Sequence, residues 1–331
     1  MTTIRDIARI AGVAPSTVSH VLNGTAPVSS KTKEKVQKII KEYQFQPNFI
    51  AKSLKQNRTF TIGVLTDNFM DFVPSMVDGI EEYLYQQNYS ILISKIRYEK
   101  EKEWDYTQLF NPKQIDGLIY ASSWVREIQW KTPNIPHTYV YGYTQDLAED
   151  YVIPNDLQGA YVAAMYLIHL RHHKIGFING PIDWNASIER LNGFIEAHRR
   201  EGLEIYPKWI RSGDWSSASG YKLAQDMLSG NEKPTAIFAG NDRMAAGVIQ
   251  YCTAYGIRIP EDLSLIGFDN TDFSSILIPA LTTVELPTYE MGKLAAKRLL
   301  DNIQGKKASN LKKKVDCKLI IRDSTIENNT T

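Results

Sequence analysis

The sequence predicts two parts, an N-terminal all-α head and an α/β body built from doubly wound parallel sheets. Charge is the first reason. Residues 1–60 contain ten Lys/Arg and three Asp/Glu, a net charge of +7, while the whole chain of 331 residues carries +1, so that residues 61–331 carry −6. Periodicity is the second reason, because apolar residues recur at helical spacing in the head, whereas strand-like and helical segments alternate from Thr61 onwards.

The composition is that of a soluble globular protein with two or more domains. The chain is 43% hydrophobic and 23% charged, which is enough for a large core. Its first residues lack a signal-peptide core, and no stretch approaches the roughly 18 apolar residues of a membrane span. Cys252 and Cys317 lie in apolar segments without a Cys-x-x-Cys or Cys/His cluster. We therefore expect buried free thiols in a reducing cytoplasm, and neither a metal nor a cofactor.

Three helices are expected in the head. Thr3 is placed to cap the first helix, with Asp6 at its third position, and Gly12 ends it. The second begins near Pro15, a residue that suits a first helical position, and ends at Asn23. The expected core residues are Ile4, Ile7, Ala8 and Ala11 in the first helix, and Val36, Ile39, Ile40 and Tyr43 in the third, which starts after Ser29. Two short helices and a tight turn, closed by a third helix, form a helix-turn-helix module, whose positive charge favours nucleic acid.

A separate short helical pattern covers residues 47–54, Pro-Asn-Phe-Ile-Ala-Lys-Ser-Leu. A helix of this length is marginal in water, so we expect it to need DNA, a partner helix or both. The chain is accordingly divided into a helix-turn-helix domain at 1–46, a hinge helix and linker at 47–59, and a body at 60–331.

Strands and helices alternate in the predicted body. The expected strands are Thr61–Thr66, Ser90–Lys95, Gly117–Ala121, Thr138–Gly142, Lys174–Asn179, Thr235–Ala239 and Leu263–Phe268. The expected helices include Pro74–Gln87, Leu157–Arg171, Ile188–Arg200, Ser217–Leu228 and Arg243–Tyr255. This alternation is typical of parallel sheets, and the length is sufficient for two lobes.

Several polar side chains follow the predicted strands where each strand ends. Asp67 and Asp71 come after the first strand, while Asn241 and Asp269 follow the last two. Ligands of doubly wound sheets bind beyond the carboxyl ends of the strands. Asp269 and Asn241 can each bridge vicinal hydroxyls, so that a polyol is the expected ligand. The neighbouring Asp242 is expected to cap a helix instead.

Motifs at fixed offsets run through the head. They are Ile4-Arg5-Asp6-Ile7-Ala8, Ala11-Gly12-Val13, Thr17-Val18-Ser19, Val21-Leu22-Asn23, Val28-Ser29, Thr32, Lys35-Val36 and Pro47-Asn48. Together they resemble the head of the LacI/GalR family of bacterial repressors, and the resemblance continues through the body to Ile320-Ile321-Arg322-Asp323-Ser324-Thr325. It implies a two-lobed, periplasmic-binding-protein-like body. The implied lobes are an N-lobe of about 60–154 and 288–316 and a C-lobe of about 155–287 and 317–326, with crossings near Asn155, Pro287 and Cys317.

The resemblance also implies DNA contacts in the head. Pro15, Ser16 and His20 occupy positions that resemble the base-reading positions of the recognition helix. Ser16 suits a base edge or a phosphate equally, and His20 can donate to a guanine. His20 stands where the family often has Arg, and Ala14, a poor cap, stands where a capping Ser is common. The further contacts expected in the head are Thr3, Thr17, Ser19 and Asn23.

In the hinge, Leu54 matches the apolar wedge that opens a central base step in the minor groove, and Ala51 is small enough for close approach. Ordinary packing of Leu54 on the body is the alternative. Asn48, Lys52 and Lys55 would hold phosphates or groove edges.

Ligand contacts in the body follow from the same resemblance. Arg190 matches the family's ligand-binding arginine, whose planar fork suits two adjacent oxygens. Trp215 matches an aromatic position of the family's sugar site. Arg190 and Asp269 are expected to hold ligand hydroxyls from opposite sides of one pocket. The alternatives are a surface pair of Arg190 with Asp183 or Glu189, and a core position for Trp215. The full set of expected effector contacts is Asp67, Asp71, Phe72, Asn155, Trp184, Arg190, Trp215, Asn241 and Asp269.

These features predict a homodimeric transcriptional repressor that binds a pseudo-palindromic operator and responds to a small-molecule effector, expected to be a sugar. Effector binding would close or reorient the lobes and shift the DNA-competent population. A solute-binding protein would need a signal peptide and no helix-turn-helix. An α/β enzyme would need a nucleophile or an acid–base pair, and the sequence displays no such motif. Within the regulator class, a phosphorylated metabolite or a protein corepressor is the alternative, but the carboxylates beside one clear cation disfavour an anion.

Overall fold

A computed structural model describes residues 3–23, 26–43, 58–96, 114–123, 135–142, 150–306 and 312–329. The chain forms two compact units, Met1–Thr59 and Phe60–Thr331, and each unit is held together by contacts within itself. Within these described ranges, no helix combines the length and the apolar character needed to cross a membrane.

The head unit contains α1 (Ile4–Ala11), α2 (Pro15–Asn23) and α3 (Ser30–Glu42). A capping box begins α1, since the backbone N–H of Asp6 donates to the Thr3 hydroxyl at 3.3 Å and that of Thr3 donates to the Asp6 carboxylate at 3.0 Å. Gly12 ends α1 in the left-handed conformation, with φ at +66°. The buried core is formed by Ile7, Ala8, Ala11, Val18, Val36 and Ile39.

One core prediction in the head is wrong. Tyr43 is 46% exposed in its unit. It follows the last residue of α3 and caps that helix through its backbone N–H, so its side chain falls beyond the helical face that carries Val36 and Ile39 into the core.

In the body unit, short strands and helices alternate along the chain. The elements in chain order are β1 (Thr61–Thr66), α4 (Val73–Gln86), β2 (Ser90–Lys95), β3 (Gly117–Ala121), β4 (His137–Val140), β5 (Tyr151–Asn155), α5 (Asp156–His169), β6 (Ile175–Asn179), α6 (Asn185–Glu201), β7 (Ile210–Ser212), α7 (Ser217–Leu228), β8 (Ala236–Ala239), α8 (Asp242–Ala254), β9 (Ser264–Asp269), β10 (Thr282–Glu285), α9 (Thr288–Ile303), β11 (Lys312–Asp316) and β12 (Lys318–Ile320).

The strands form two six-stranded sheets. The first has the order β11-β5-β4-β3-β1-β2 with parallel pairs throughout. The second has the order β12-β10-β9-β8-β6-β7, in which the edge pair of β10 and β12 is antiparallel. We call the part of the body around the first sheet the first lobe and that around the second sheet the second lobe. Because the strands are parallel, their carboxyl ends in each lobe lie along one edge.

Close helix packing in the second lobe requires a residue without a side chain. Helices α5 and α6 pack against each other, and Gly193 lies at their contact. A Cβ atom on Gly193 would lie 2.2 Å from the backbone oxygen of Leu157. Below this contact, the rings of Phe177 and Phe194 stack with their centroids 4.9 Å apart, so α6 cannot move away without opening the aromatic core.

We therefore expect Gly193→Ala to destabilise the body although Ala favours helices. Overpacking against backbone should lower the free energy of unfolding by about 1–3 kcal/mol, as measured by urea denaturation. Gly230→Ala is the matched control, because the nearest atom to its added Cβ, the Glu232 backbone oxygen, is 3.6 Å away. Equal stabilities of the two variants would show that α5 and α6 are less tightly packed than described.

Candidate functional site

The predicted DNA contacts of the head cluster on α2. Pro15 and Ser16, at its N-terminus, are exposed, while Val18 points into the core. Thr17, Ser19 and His20 are half-buried. The first turn of α2 therefore presents polar groups to solvent, as a base-reading helix must.

Other predicted DNA contacts are differently placed. The Thr3 hydroxyl is engaged with the Asp6 carboxylate at 2.7 Å, which gives Thr3 a structural task in the α1 cap. The side chain of Asn23 lies outside the described residues, as do all of residues 44–57. The hinge predictions for Asn48, Ala51, Lys52, Leu54 and Lys55 fall in that range.

A cleft of about 680 Å³, its open mouth included, lies beyond the carboxyl ends of strands from both sheets. Seven of the nine predicted effector contacts line it: Asp71, Phe72, Trp184, Arg190, Trp215, Asn241 and Asp269. The other lining residues are Asn68, Met70, Ser123, Tyr141, Ala186 and Arg243. Aromatic walls with a few convergent polar groups are typical of a small-molecule site.

Arg190, on α6, is the buried centre of the cleft. Its side chain is 3% exposed. Its Nε donates to Oδ1 of Asp156 at 2.8 Å, and its Nη1 donates to the backbone oxygen of Gly240. Nη1 also lies 3.6 Å from Oδ1 of Asp269, and the guanidinium carbon stands 3.7 Å from the ring centroid of Phe268. The cation therefore joins the N-terminus of α5 to the ends of β8 and β9.

Asp269 is short of hydrogen-bond donors. Burial raises its pKa well above the usual carboxyl range, and Arg190 lowers it only in part. Burial also raises the pKa of Asp156, against the opposing effect of Arg190. The 3.6 Å separation between Asp269 and its guanidinium neighbour exceeds hydrogen-bond length. A ligand that offers donors to Asp269 would remove this deficit.

One alternative and one expectation for Arg190 are not met. It forms no surface pair with Asp183 or Glu189, because its guanidinium is buried against Asp156. It also does not face Asp269 across the pocket, since the two groups are neighbours on one wall. A ligand would therefore meet them side by side.

Aromatic rings line the cleft in two pairs. In the first lobe, the centroids of Phe72 and Tyr141 are 4.8 Å apart. In the second, those of Trp184 and Trp215 are 6.0 Å apart. Trp215 is half-buried and lines the cleft, so it is not an ordinary core residue. Such walls accept the apolar face of a ring-shaped ligand.

Backbone strain is concentrated at this cleft. Four lining residues other than glycine have a positive φ: Asp71 at 54°, Tyr141 at 61°, Trp215 at 70° and Asp269 at 108°. This region favours glycine, and strained residues held by their surroundings cluster at functional sites. The energetic cost of these four backbone conformations is consistent with a binding site that is formed before a ligand binds.

The helix cap expected of Asp242 is made by Asn241 instead. Asn241 caps α8, because its Oδ1 accepts from the backbone N–H of Met244 at 2.8 Å. Its Nδ2 donates to the backbone oxygen of Trp215 at 3.1 Å, which leaves less of the amide for a ligand. Asp242 is the first residue of the helix, and its buried carboxylate accepts from one backbone N–H and two threonine hydroxyls. Burial raises its pKa to about 6.

Asp67 and Asn155 are predicted contacts that the structure does not bring into the cleft lining. The Asp67 carboxylate accepts from the backbone N–H and the hydroxyl of Ser123, at 3.0 and 2.9 Å. Asn155 caps α5 and donates to Asp316 at 2.7 Å. Both lie at strand ends, but their hydrogen bonds join neighbouring strand ends of the first sheet.

The sequence reasoning missed Ser123, Tyr141 and Arg243. Ser123 follows β3, so the rule that selected Asp269 could have found it, whereas Tyr141 lies inside the predicted strand Thr138–Gly142 and only the structure ends β4 at Val140. Arg243 lies in the first turn of α8, and its role depends on Asp71, 172 residues away in sequence. No local signal reveals such a pair.

Comparison with known proteins agrees with this architecture. Residues 3–48 match the family described as bacterial regulatory proteins, lacI family, and residues 164–325 match a periplasmic binding protein-like domain. The HTH-type transcriptional repressor PurR of Vibrio vulnificus (strain CMCP6) is 35% identical over 329 residues, covering 98% of this chain and 98% of that protein.

Two solved structures of similar architecture have ligands in their descriptions. One is the lac repressor dimer bound to operator and the anti-inducer ONPF, with a TM-score of 0.73 and 28% identity over 98% of this chain and 99% of that one. The other is a complex of the transcriptional regulator CelR with cellobiose, with a TM-score of 0.69 and 27% identity over 98% of this chain and all of that one.

The chain belongs to the LacI family of bacterial regulatory proteins, and it is a DNA-binding transcriptional repressor of that family. The predicted fold class, a helix-turn-helix head with a two-lobed α/β body, is confirmed. So is the expectation of a regulator rather than an enzyme, because the relatives are repressors.

We expect Arg190→Met to destabilise the body strongly, because Asp156 and Asp269 would lose their shared cation. Breaking a buried ion pair by removing one partner typically costs roughly 3–5 kcal/mol. Arg258→Gln is the matched control, since Arg258 pairs with Asp262 on the exposed surface.

The loss should depend on pH in a defined direction. Asp156 and Asp269 already have raised pKa values, and removing the cation raises them further. A carboxyl whose folded pKa exceeds its unfolded pKa destabilises the fold at high pH, and this cost disappears as pH falls through the folded pKa. Urea denaturation should therefore show the gap between wild type and Arg190→Met narrowing with acidification. A stability difference that is independent of pH would contradict the pairing of Arg190 with Asp156 and Asp269.

Proposed function

We propose that the cleft binds a small neutral effector rich in hydroxyl groups, most simply a carbohydrate, and that its occupancy controls operator binding by the head. The observation that carries this proposal is the buried arrangement of Asp269 beside Arg190. It offers an acceptor and a donor side by side between aromatic walls. Adjacent hydroxyls of one ring donate to the first group and accept from the second.

The charges around the cleft support a neutral ligand. Its described lining contains two cations, Arg190 and Arg243, and two carboxylates, Asp71 and Asp269. Asp156 stands directly behind Arg190. With no surplus of positive charge, a phosphorylated or carboxylated ligand would bring an uncompensated anion into a partly buried site. The cellobiose complex of CelR, a structural relative, is consistent with a carbohydrate class.

We also propose a homodimer. Exposed apolar side chains occur in both lobes, with Tyr85, Leu92 and Ile93 on α4 and β2, and Ile276 and Ile278 after β9. Exposed apolar surface of this kind favours self-association. The lac repressor relative was solved as a dimer on its operator. A two-fold dimer would read a pseudo-palindrome with Pro15, Ser16 and His20 of each head, in the cytoplasm, where its DNA lies.

We also propose the lobe boundaries that the sequence predicts. They are about 60–154 with 288–316 for the N-lobe and about 155–287 with 317–326 for the C-lobe. The chain would thus cross between the lobes near Asn155, Pro287 and Cys317, the first of which adjoins Asp156. Closure on a ligand would move the two lobes about these crossings and change the spacing of the hinge segments.

An effector screen by thermal shift tests the proposal. Mono- and disaccharides form the first arm, sugar phosphates the second, and flat nitrogen heterocycles, which also stack on aromatic walls, the third. A ligand that binds the native state raises the melting temperature by mass action. A shift with neutral sugars alone is expected, and a shift confined to the second or third arm would refute the carbohydrate assignment.

With the ligand from that screen, Asp269→Asn should weaken effector binding by about tenfold or more, because the ionised acceptor is lost. Wild-type affinity should rise as pH increases above the usual carboxyl range and Asp269, with its raised pKa, ionises, and the variant should show no such rise. Isothermal titration calorimetry measures both effects.

Operator affinity without effector should be unchanged in this variant, as measured by gel shift, since the head is intact. Asp262→Asn, which alters a surface ion pair, serves as the control. Normal effector affinity in Asp269→Asn would place the ligand site elsewhere.

A further inference from the structure

Asp71 and Arg243 connect the two lobes across the mouth of the cleft. Nε and Nη2 of Arg243 donate to Oδ1 of Asp71 at 3.1 and 2.8 Å. Asp71 follows β1 in the first lobe, whereas Arg243 lies in the first turn of α8 in the second. Both line the cleft, and both remain partly exposed, at 30% and 42%. We propose that this ion pair is a latch that holds the lobes together over the effector and sets how often the cleft opens.

The backbone prepares Asp71 for this contact. Its φ of +54° is left-handed, a conformation that Asp and Asn tolerate better than most residues. Asn68 supports the same loop, because its Oδ1 accepts from the backbone N–H of Met70 at 2.7 Å. The carboxylate is therefore held out toward the opposite lobe.

Arg243 is equally well placed. It comes two residues after Asn241, whose side chain caps α8, so the first turn that carries Arg243 is anchored. The backbone oxygen of Trp215 accepts from the same amide at 3.1 Å. Arg243 therefore extends from the same helix start that holds the backbone of Trp215, one aromatic wall of the cleft. A second ion pair between the lobes, from Lys314 to Glu189 at 2.7 Å, involves residues outside the cleft lining.

A latch of this kind acts on access rather than on the ligand's own contacts. An effector that reaches Arg190 and Asp269 must pass the pair, and it must pass it again to leave. Since the pair is partly exposed, it is screened by salt, and its loss should raise the open-to-closed ratio by no more than about fivefold. Asp71 and Arg243 would therefore be positioning residues that tune the rates of effector entry and release.

The latch rests on the proposed function of the cleft as the effector site, but its test needs no effector. Hydrogen–deuterium exchange by mass spectrometry on the full chain reports the open population through backbone amides that line the cleft. Asp71→Asn preserves the left-handed backbone while removing the charge, and Arg243→Gln removes the other partner. Each variant should speed exchange in the cleft-lining segments at 68–72 and 240–245 by about two- to fivefold, with the core strands β6 and β9 unchanged.

Two further measurements separate a latch from a general structural role. The double variant should exchange no faster than either single variant, because both remove the same interaction. Raising NaCl from about 50 mM to about 500 mM should speed exchange more in the wild type than in Arg243→Gln, because in the variant only the Lys314–Glu189 pair, of the described pairs between the lobes, remains to be screened. Arg258→Gln, which breaks a surface pair within the second lobe, is the control and should behave as wild type.

Unchanged exchange in both single variants would overturn the proposal, and so would additive effects in the double variant. Faster exchange throughout β6 and β9 would show that the substitutions loosen the second lobe itself, which also overturns it. None of these outcomes bears on whether the cleft binds a sugar, which the effector screen decides separately.

Discussion

The buried guanidinium of Arg190 is the constraint on which the second lobe and the cleft depend. A charge at this depth is tolerated only when it is paired and hydrogen-bonded. Asp156, Asp269 and the Gly240 carbonyl supply those partners from α5, β9 and the β8–α8 loop. Three chain segments must therefore converge on one side chain, and the place where they converge is the floor of the cleft.

This convergence explains why one carboxylate remains incompletely satisfied. Arg190 directs Nε to Asp156 and Nη1 to Gly240, so Asp269 is left at 3.6 Å. The residues with left-handed backbone around the cleft support the same conclusion, because strain persists only where surrounding structure enforces it. The strained and incompletely paired groups lower the stability of the fold, but they hold the site in position before a ligand binds. A bound ligand would recover part of the lost stability.

Local features of the sequence predicted the fold well. The Thr3–Asp6 cap and the bounds of β1, β2, β3 and α7 agree with the structure residue for residue. Strand β5 was not predicted, since its segment contains Pro154, and β11 begins with three lysines, which hide its pairing with β5. Such strands exist because neighbouring chain segments complete the sheet, which is a tertiary effect that propensity does not record.

The site shows the same division between local and long-range information. Strand-end position predicted that Asp71 and Asp269 would reach the cleft, and the family resemblance added Arg190 and Trp215. The rule failed for Asp67, whose carboxylate accepts hydrogen bonds from Ser123 outside the cleft lining, and Asn241 at another strand end serves also as a helix cap. Arg243 is not among the predicted site residues, because only the folded chain brings it close to Asp71. A pairing across 172 residues and the choice between cap and ligand contact require three-dimensional structure.

The central claim is that the cleft and the head are coupled, so that occupancy of one changes the affinity of the other. Thermodynamic linkage requires the coupling to be reciprocal. The most direct test is to measure effector affinity by calorimetry for the full chain, alone and saturated with operator DNA. We predict that the effector dissociation constant changes by the same factor as the operator dissociation constant changes with effector, about 5- to 150-fold. Identical effector affinities with and without operator would contradict the account.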